Sequence, residues 1–373
     1  MRKSRKIADG DRIVIKVGSA LLANQKSGAV HLDWLKALAI DVAACRERGQ
    51  DVVLVSSGAI AIGRRRLGLP QGQLKLDENQ AAAAAGMVRL AHAYEEVLGK
   101  FGITVGQVLL TLDDTENRRR YINARNTLGA LLKLGAVPVI NENDTVATDE
   151  IRFGDNDRLA ARVAAMISAD TLVLLSDIDG LYTSDPRTDS KATIVPEVRK
   201  ITAEIESMAG QAPVGDSRGG MVTKLAAAKV CLSNGCRMVI MDGKEASPLQ
   251  RLEDGATATW FLPSATPKTA RKQWISGTLS PAGAVVLDSG AVRALRNGKS
   301  LLPAGVVSLE GDFQRGDAVI IKDSNGHELG RGLITYGIQE AQLIIGHKTS
   351  EIENLLGYRG RDSIIHRDDM ILD

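Results

Sequence analysis

A recurring pattern constrains this chain more than any other feature: strand-length apolar runs that end abruptly in small or acidic residues and are separated by helical stretches. The runs are RIVIKV at 12–17, DVVLVS at 51–56, VPVI at 137–140, TLVLL at 171–175 and RMVIM at 237–241, with a further strand read over 103–110. Continuous β-branched runs suit strands buried on both faces, since a strand with one wet face would alternate. Between them, helical patterns are read over 32–48 closed by Gly49, 76–98 with an alanine run at 81–85, 113–134, 158–167 and 222–233. Regular β-α alternation predicts a mainly parallel sheet with right-handed crossovers, an α/β three-layer sandwich.

Length and composition set the outer bounds. The 373 residues, 44% hydrophobic and 25% charged, are enough for a sizeable core and predict two domains. Lys+Arg is 47 against Asp+Glu 45, and a net charge of +2 gives no general attraction to nucleic acid or anionic membrane. Cys45, Cys231 and Cys236 contain no CxxC pair, and the five histidines are scattered, so neither a disulfide framework nor a zinc site is indicated. The basic start MRKSRK leads into no apolar segment and no run approaches a membrane span, so no membrane association and a cytoplasmic location are expected.

The ends of the runs carry the chemistry. Lys16 lies almost at the end of the first strand, where a buried ammonium must find a negative partner or stay at the rim. Ser56-Ser57-Gly58-Ala59 lets a ligand approach backbone N–H groups at a helix start. After 137–140 come Asn141, Glu142, Asn143, Asp144, Asp149, Glu150, Asp155, Asn156 and Asp157. At the carboxyl end of a parallel strand this cluster suits an ammonium group, a hydroxyl or a hydrated metal; elsewhere it would be a solvated acidic loop. A glycine-rich loop at 215–224 enters the last helix, although GxxxxGK[ST] and GxGxxG are both absent. The run Arg118-Arg119-Arg120 is read as a solvated face, with no role in the chemistry.

Taken in order, Lys16-Val-Gly-Ser, Ser57-Gly58-Ala59, Asn141-Glu142-Asn143-Asp144, Gly154-Asp155-Asn156-Asp157, Ser176-Asp177 and 219–224 resemble the loops of the amino acid kinase family. NEND with GDND at this spacing is similar to the members that phosphorylate the γ-carboxylate of L-glutamate, at the head of proline biosynthesis. The resemblance implies an amino-acid-kinase-like sandwich, ATP as co-substrate, Mg²⁺ carried mainly on ATP oxygens with no protein ligand, a homo-oligomer (dimer or tetramer), and inhibition by proline. It also implies roles. Lys16 and Lys224 would neutralise phosphate charge, Asp157 would hold both lysines, and Gly18 would line the phosphate path. Ser57, Asp144 and Asn156 would bind the amino acid, with Asp144 facing its α-ammonium. Lys16, Gly18, Ser176, Asp177, Arg218, Gly219, Gly220, Met221, Val222, Thr223 and Lys224 fall on nucleotide positions. Arg218 departs from the family pattern, which commonly has threonine there.

From about 281 the texture shifts to short runs with glycine turns, AVVLD, VVSLE, DAVIIKD and QLIIGH, read as strands of a small β-rich domain that resembles a PUA domain. The expected boundaries are 1–264, a linker at 265–280 and 281–373. The last segment holds ten Lys/Arg and thirteen Asp/Glu, a net of −3, which argues against RNA as a partner. Two competing activities remain at this point: another acyl-phosphate kinase of the same family acting on aspartate or N-acetylglutamate, and RNA binding or modification through the terminal domain. Asp144 separates the first, because an N-acetylated substrate offers no ammonium.

Overall fold

Each buried run forms a strand. β1 (Arg12–Val17) leads through α1 (Ser19–Leu22) to α2 (Leu32–Glu47), β2 (Asp51–Ser56) and the helix pair α3 (Ala59–Arg66) and α4 (Leu76–Gly99). β3 (Val105–Leu110), α5 (Leu112–Glu116), α6 (Arg118–Lys133), β4 (Val137–Glu142), α7 (Asn156–Met166) and β5 (Thr171–Ser176) follow. The unit ends with β6 (Glu197–Val198), α8 (Ala203–Ser207), α9 (Met221–Ser233), β7 (Arg237–Asp242), α10 (Pro248–Glu253) and β8 (Ala258–Phe261). The computed structural model describes residues 5–24, 27–147, 156–210, 220–277 and 281–372.

The strands form one sheet in the order β3-β4-β2-β1-β5-β7-β8-β6, parallel except for the β7–β8 pair. The strand pleat sends alternate residues to opposite layers. On β1, Ile13, Ile15 and Val17 pack with α2 and α4 residues such as Leu38 and Leu90. Val14 packs on the other face with Leu159 and Val163 of α7 and Leu225 and Ala228 of α9. Lys16 shares that second face by the same pleat, so period 2 alone aims its stem toward α7 and α9.

The structure corrects several expectations. The helix read over 113–134 is two: Thr111 and Asp114 cap α5 reciprocally, and Asn117 interrupts the run by accepting a hydrogen bond from the Arg120 N–H at the start of α6. The sheet gains a strand that the sequence reading did not include, because ATWF returns antiparallel to RMVIM as β8. Asn141 and Glu142 continue β4, buried inside the sheet edge, and do not begin the loop.

The chain divides into two compact units, Met1–Pro267 and Lys268–Asp373. A helix occupies the stretch read as a linker: α11 (Pro267–Gly277), whose Ile275 packs with Ala318 and Leu333 and whose Arg271 pairs with Asp369 at 2.7 Å. The second unit continues with β9 (Gly283–Leu287), α12 (Ser289–Arg296), β10 (Val306–Gly311), β11 (Ala318–Lys322), β12 (Glu328–Leu333), α13 (Ile338–Ile344), α14 (Ile352–Leu356) and β13 (Met370–Leu372). Its five-stranded sheet runs β10-β9-β11-β12-β13 around a separate core that includes Val285, Phe313, Val319 and Ile364. QLIIGH is not a strand. Ala341 and Ile344 are buried three residues apart with Leu343 exposed between them, the spacing of one helix face. No helix among the described residues is long and apolar enough to cross a membrane.

Candidate active site

The carboxyl ends of β4, β2, β1, β5 and β7 lie side by side along one edge of the sheet, and Lys16, Ser57, Asp144, Asn156, Asp157, Ser176 and Lys224 lie at or just beyond the ends of these strands or on the helices that follow. At the centre, Asp157 opens α7, with no exposed surface. Its two carboxylate oxygens take one lysine each: Lys16 Nζ lies 2.5 Å from Oδ1 and Lys224 Nζ lies 2.9 Å from Oδ2. Lys16 comes from β1 and Lys224 from the first turn of α9, and both are buried, at 8% and 7% exposed. Burial pushes the Asp157 carboxyl up, but the Lys16 and Lys224 ammonium groups more than offset this and hold it below the usual carboxylate range. An ammonium has three donors, so the contact with Asp157 occupies one hydrogen of each lysine.

Beside this trio, the Ser56–Ser57 peptide is fixed from several directions. Ser56 O accepts hydrogen bonds from Asn141 Nδ2 at 2.9 Å and Asn156 Nδ2 at 2.5 Å. Ser57 is half-buried, and Gly58 enters α3 at φ 95°, a conformation that favours glycine. Asp144 is half-buried in the turn after β4. It lines a cavity of about 210 Å³ with Glu142, Ala83, Met87 and Leu109, between α4 and the β3–β4 edge. Asn156 therefore contacts Ser56 through its amide nitrogen, one peptide away from Ser57.

On the other flank, Gly18 N donates to Leu175 O at 3.3 Å, drawing the turn after β1 against the end of β5. Ser176 Oγ donates to Asp177 Oδ1 at 3.1 Å. Gly220 caps α9, and the Thr223 hydroxyl is engaged with it, accepting from Gly220 N at 3.2 Å and donating to Gly220 O at 2.8 Å. Met221 is half-buried and Val222 exposed beside them. Arg218 and Gly219 lie outside the described residues, as do Asp149, Glu150, Gly154 and Asp155.

The structure adds residues to which sequence reasoning gave no role. Lys244, just past β7, donates from Nζ to Asp177 O at 2.6 Å, a contact that adjacent strand ends create and that spacing along the chain does not signal. Tyr94 on α4 reaches Ser56, and Gln80 on the same helix donates to Ala147 O at 3.2 Å, next to the turn that carries Asp144. Asn141 was legible only as part of NEND. The described residues contain no group of three or more His, Cys, Asp or Glu able to hold a metal.

A buried lysine–carboxylate–lysine bridge at the carboxyl edge of a parallel sheet, flanked by a glycine-capped helix on one side and amide-lined turns on the other, is a setting for moving an anionic group between two anionic partners. The chain belongs to the amino acid kinase family, whose model matches residues 11–242, and the PUA domain model matches 283–356. Among its relatives, glutamate 5-kinase of Paramagnetospirillum magneticum is 60% identical over 367 residues, covering 98% of this chain and 99% of that protein. Glutamate 5-kinase of Rhodospirillum rubrum is 59% identical over 96% of each chain, and that of Agrobacterium fabrum 58% over 98% of this chain and 94% of its own. A solved UMP kinase from Ureaplasma parvum aligns at TM-score 0.47 and 17% identity, over 68% of this chain and 98% of that one, too loosely to carry a functional argument.

Proposed function

We propose that this chain transfers the γ-phosphoryl group of ATP to the γ-carboxylate of L-glutamate, giving L-glutamyl 5-phosphate and ADP, the first step of proline biosynthesis. The observation that carries the reading is the Lys16–Asp157–Lys224 bridge. A γ-carboxylate of reference pKa about 4.3 is already ionised at neutral pH, so its oxygen attacks phosphorus without a general base. The bond from phosphorus to the β,γ-bridging oxygen breaks, and ADP leaves with the electron pair. The obstacle is repulsion between two anions, and catalysis then rests on positioning and on cations around the moving group.

In this reading Lys16 and Lys224 stabilise charge on the phosphoryl oxygens, while Asp157 holds the two ammonium groups close together through one carboxylate oxygen each. Gly18 lines the phosphate path. Ser57, Asp144 and Asn156 hold the amino acid, with Asp144 paired to its α-ammonium. Ser176, Asp177 and 218–224 bind the nucleotide. Mg²⁺, when bound, neutralises phosphate charge; both Asp157 oxygens are engaged by lysines, so we assign the ion to ATP oxygens rather than to a cage of protein carboxylates. Proline is the expected inhibitor, a homo-oligomer the expected assembly and the cytoplasm the expected location, with RNA disfavoured by the net of −3 in 281–373.

The test is ADP release measured side by side with glutamate, aspartate and N-acetylglutamate. Glutamate alone should support turnover. Preference for either competitor would replace this reading with another acyl-phosphate kinase of the family.

A further inference from the structure

We propose that Tyr94 is a positioning residue for the amino-acid substrate, acting through Ser56 to fix the Ser57–Gly58 turn; this rests on the glutamate reading above. Tyr94 has no exposed surface, and its phenol donates to Ser56 Oγ at 3.1 Å. Ser56 is also fully buried and ends β2, one residue before Ser57. The pleat explains the pairing: Val52 and Leu54 face the α2–α4 layer, and Ser56, two residues on, faces it too. Val53 and Val55 face the opposite layer, so no residue of α7 or α9 could grip this side chain.

Helix α4 brackets the turn from both sides. Tyr94 holds Ser56 ahead of it. Two turns earlier on the same helix, Gly86 leaves room for the Ala59 carbonyl oxygen just behind it, where any Cβ would overlap that oxygen. The two asparagine amides then fill the Ser56 carbonyl, so the peptide plane is held through both its side chain and its backbone. With that plane fixed, the Ser57 N–H points to the side opposite the carbonyl. Accepting two hydrogen bonds also polarises the peptide and makes its N–H a stronger donor. A buried phenol needs some partner in any case. What gives this partner consequence is its place, one peptide away from a substrate position.

The experiment compares wild type, Tyr94→Phe, Ser56→Ala and the double variant in steady-state assays, with melting temperature and amide hydrogen exchange measured on the same full-length proteins. Tyr94→Phe keeps the ring and removes one donor. It should raise KM for glutamate roughly three- to tenfold, the size of one lost hydrogen bond, and leave KM for ATP within about twofold. Ser56→Ala should do the same, and the double variant should add little, because both remove one interaction. A fall in melting temperature with both KM values at wild type would overturn the inference, as would parallel increases in both. Exchange needs no substrate: Tyr94→Phe should speed it severalfold across 56–59 and leave 221–233 unchanged. Unaltered exchange at 56–59 would overturn the inference whatever the substrate proves to be. Lack of glutamate-dependent ADP release in wild type would count against the functional reading alone.

Discussion

At the scale of single residues, the proposed mechanism rests on an ionised Asp157 between two lysines. Removing one ammonium should cost on the order of 10² to 10³ in kcat, so Lys16→Ala and Lys224→Ala should each lose that much while remaining folded. Wild-type kcat in either variant would remove it from the mechanism. The pH dependence follows from the lowered carboxyl. The folded protein keeps Asp157 ionised below its ordinary value of 3.8, so its contribution to stability is complete above that value and is lost as pH falls through the lower folded pKa. Melting curves of wild type and Asp157→Asn should therefore converge below about pH 4, and a gap that widens on acidification would contradict this sign. Asp144→Ala should raise KM for glutamate roughly 10- to 150-fold, the loss of one charge-assisted contact, with little change in KM for ATP. Equal effects on the two substrates would point to damage of the fold instead.

At the scale of elements, the crossing of α3 and α4 is the contact least tolerant of change. Gly63 faces the Ala82 carbonyl and Gly86 faces the Ala59 carbonyl, so the two helices meet backbone to backbone. Gly63→Ala or Gly86→Ala should each destabilise by more than about 3 kcal/mol, read as a fall in the denaturation midpoint, because a backbone carbonyl cannot step aside as a side chain can. Gly68 and Gly72, at positive φ with open space around them, should show only the smaller cost of backbone strain. These pairs illustrate what the sequence could and could not convey. The parallel strands and the alternation of layers were legible, because RIVIKV, DVVLVS and TLVLL are apolar on both faces and too short for helices. β8 and β6 were missed because ATWF and the two residues of β6 carry little pattern, and QLIIGH was misread because a short apolar run does not distinguish strand from helix. The lysine bridge joins residues 141 and 67 positions apart in the chain. No local rule links such residues, so their meeting was legible only through the family resemblance. Nothing in the sequence marked Tyr94 or Lys244.

At the scale of the whole molecule, the proposed inhibition by proline raises the question of which unit would bind it. Every residue proposed here for catalysis or substrate binding falls within Met1–Pro267, and the second unit has its own core. Proline carries an α-carboxylate and a cationic nitrogen in a compact ring, the same features that Asp144 and the Ser57 turn would meet at the α-carbon end of glutamate. A shared pocket then needs no separate regulatory unit, and inhibition should be competitive with glutamate. The cut that tests this belongs after Pro267 rather than near 281, because α11 packs through Ile275 and Arg271 onto the second unit, while residues 266 and 267 lie against Gly235 of the first. Proline inhibition measured at several glutamate concentrations should give the same pattern for the full chain and for 1–267: an apparent KM for glutamate that rises with proline and an unchanged kcat. If saturating glutamate fails to relieve the inhibition, the pocket is not shared. If the shorter protein turns over normally but ignores proline, control resides in the C-terminal unit.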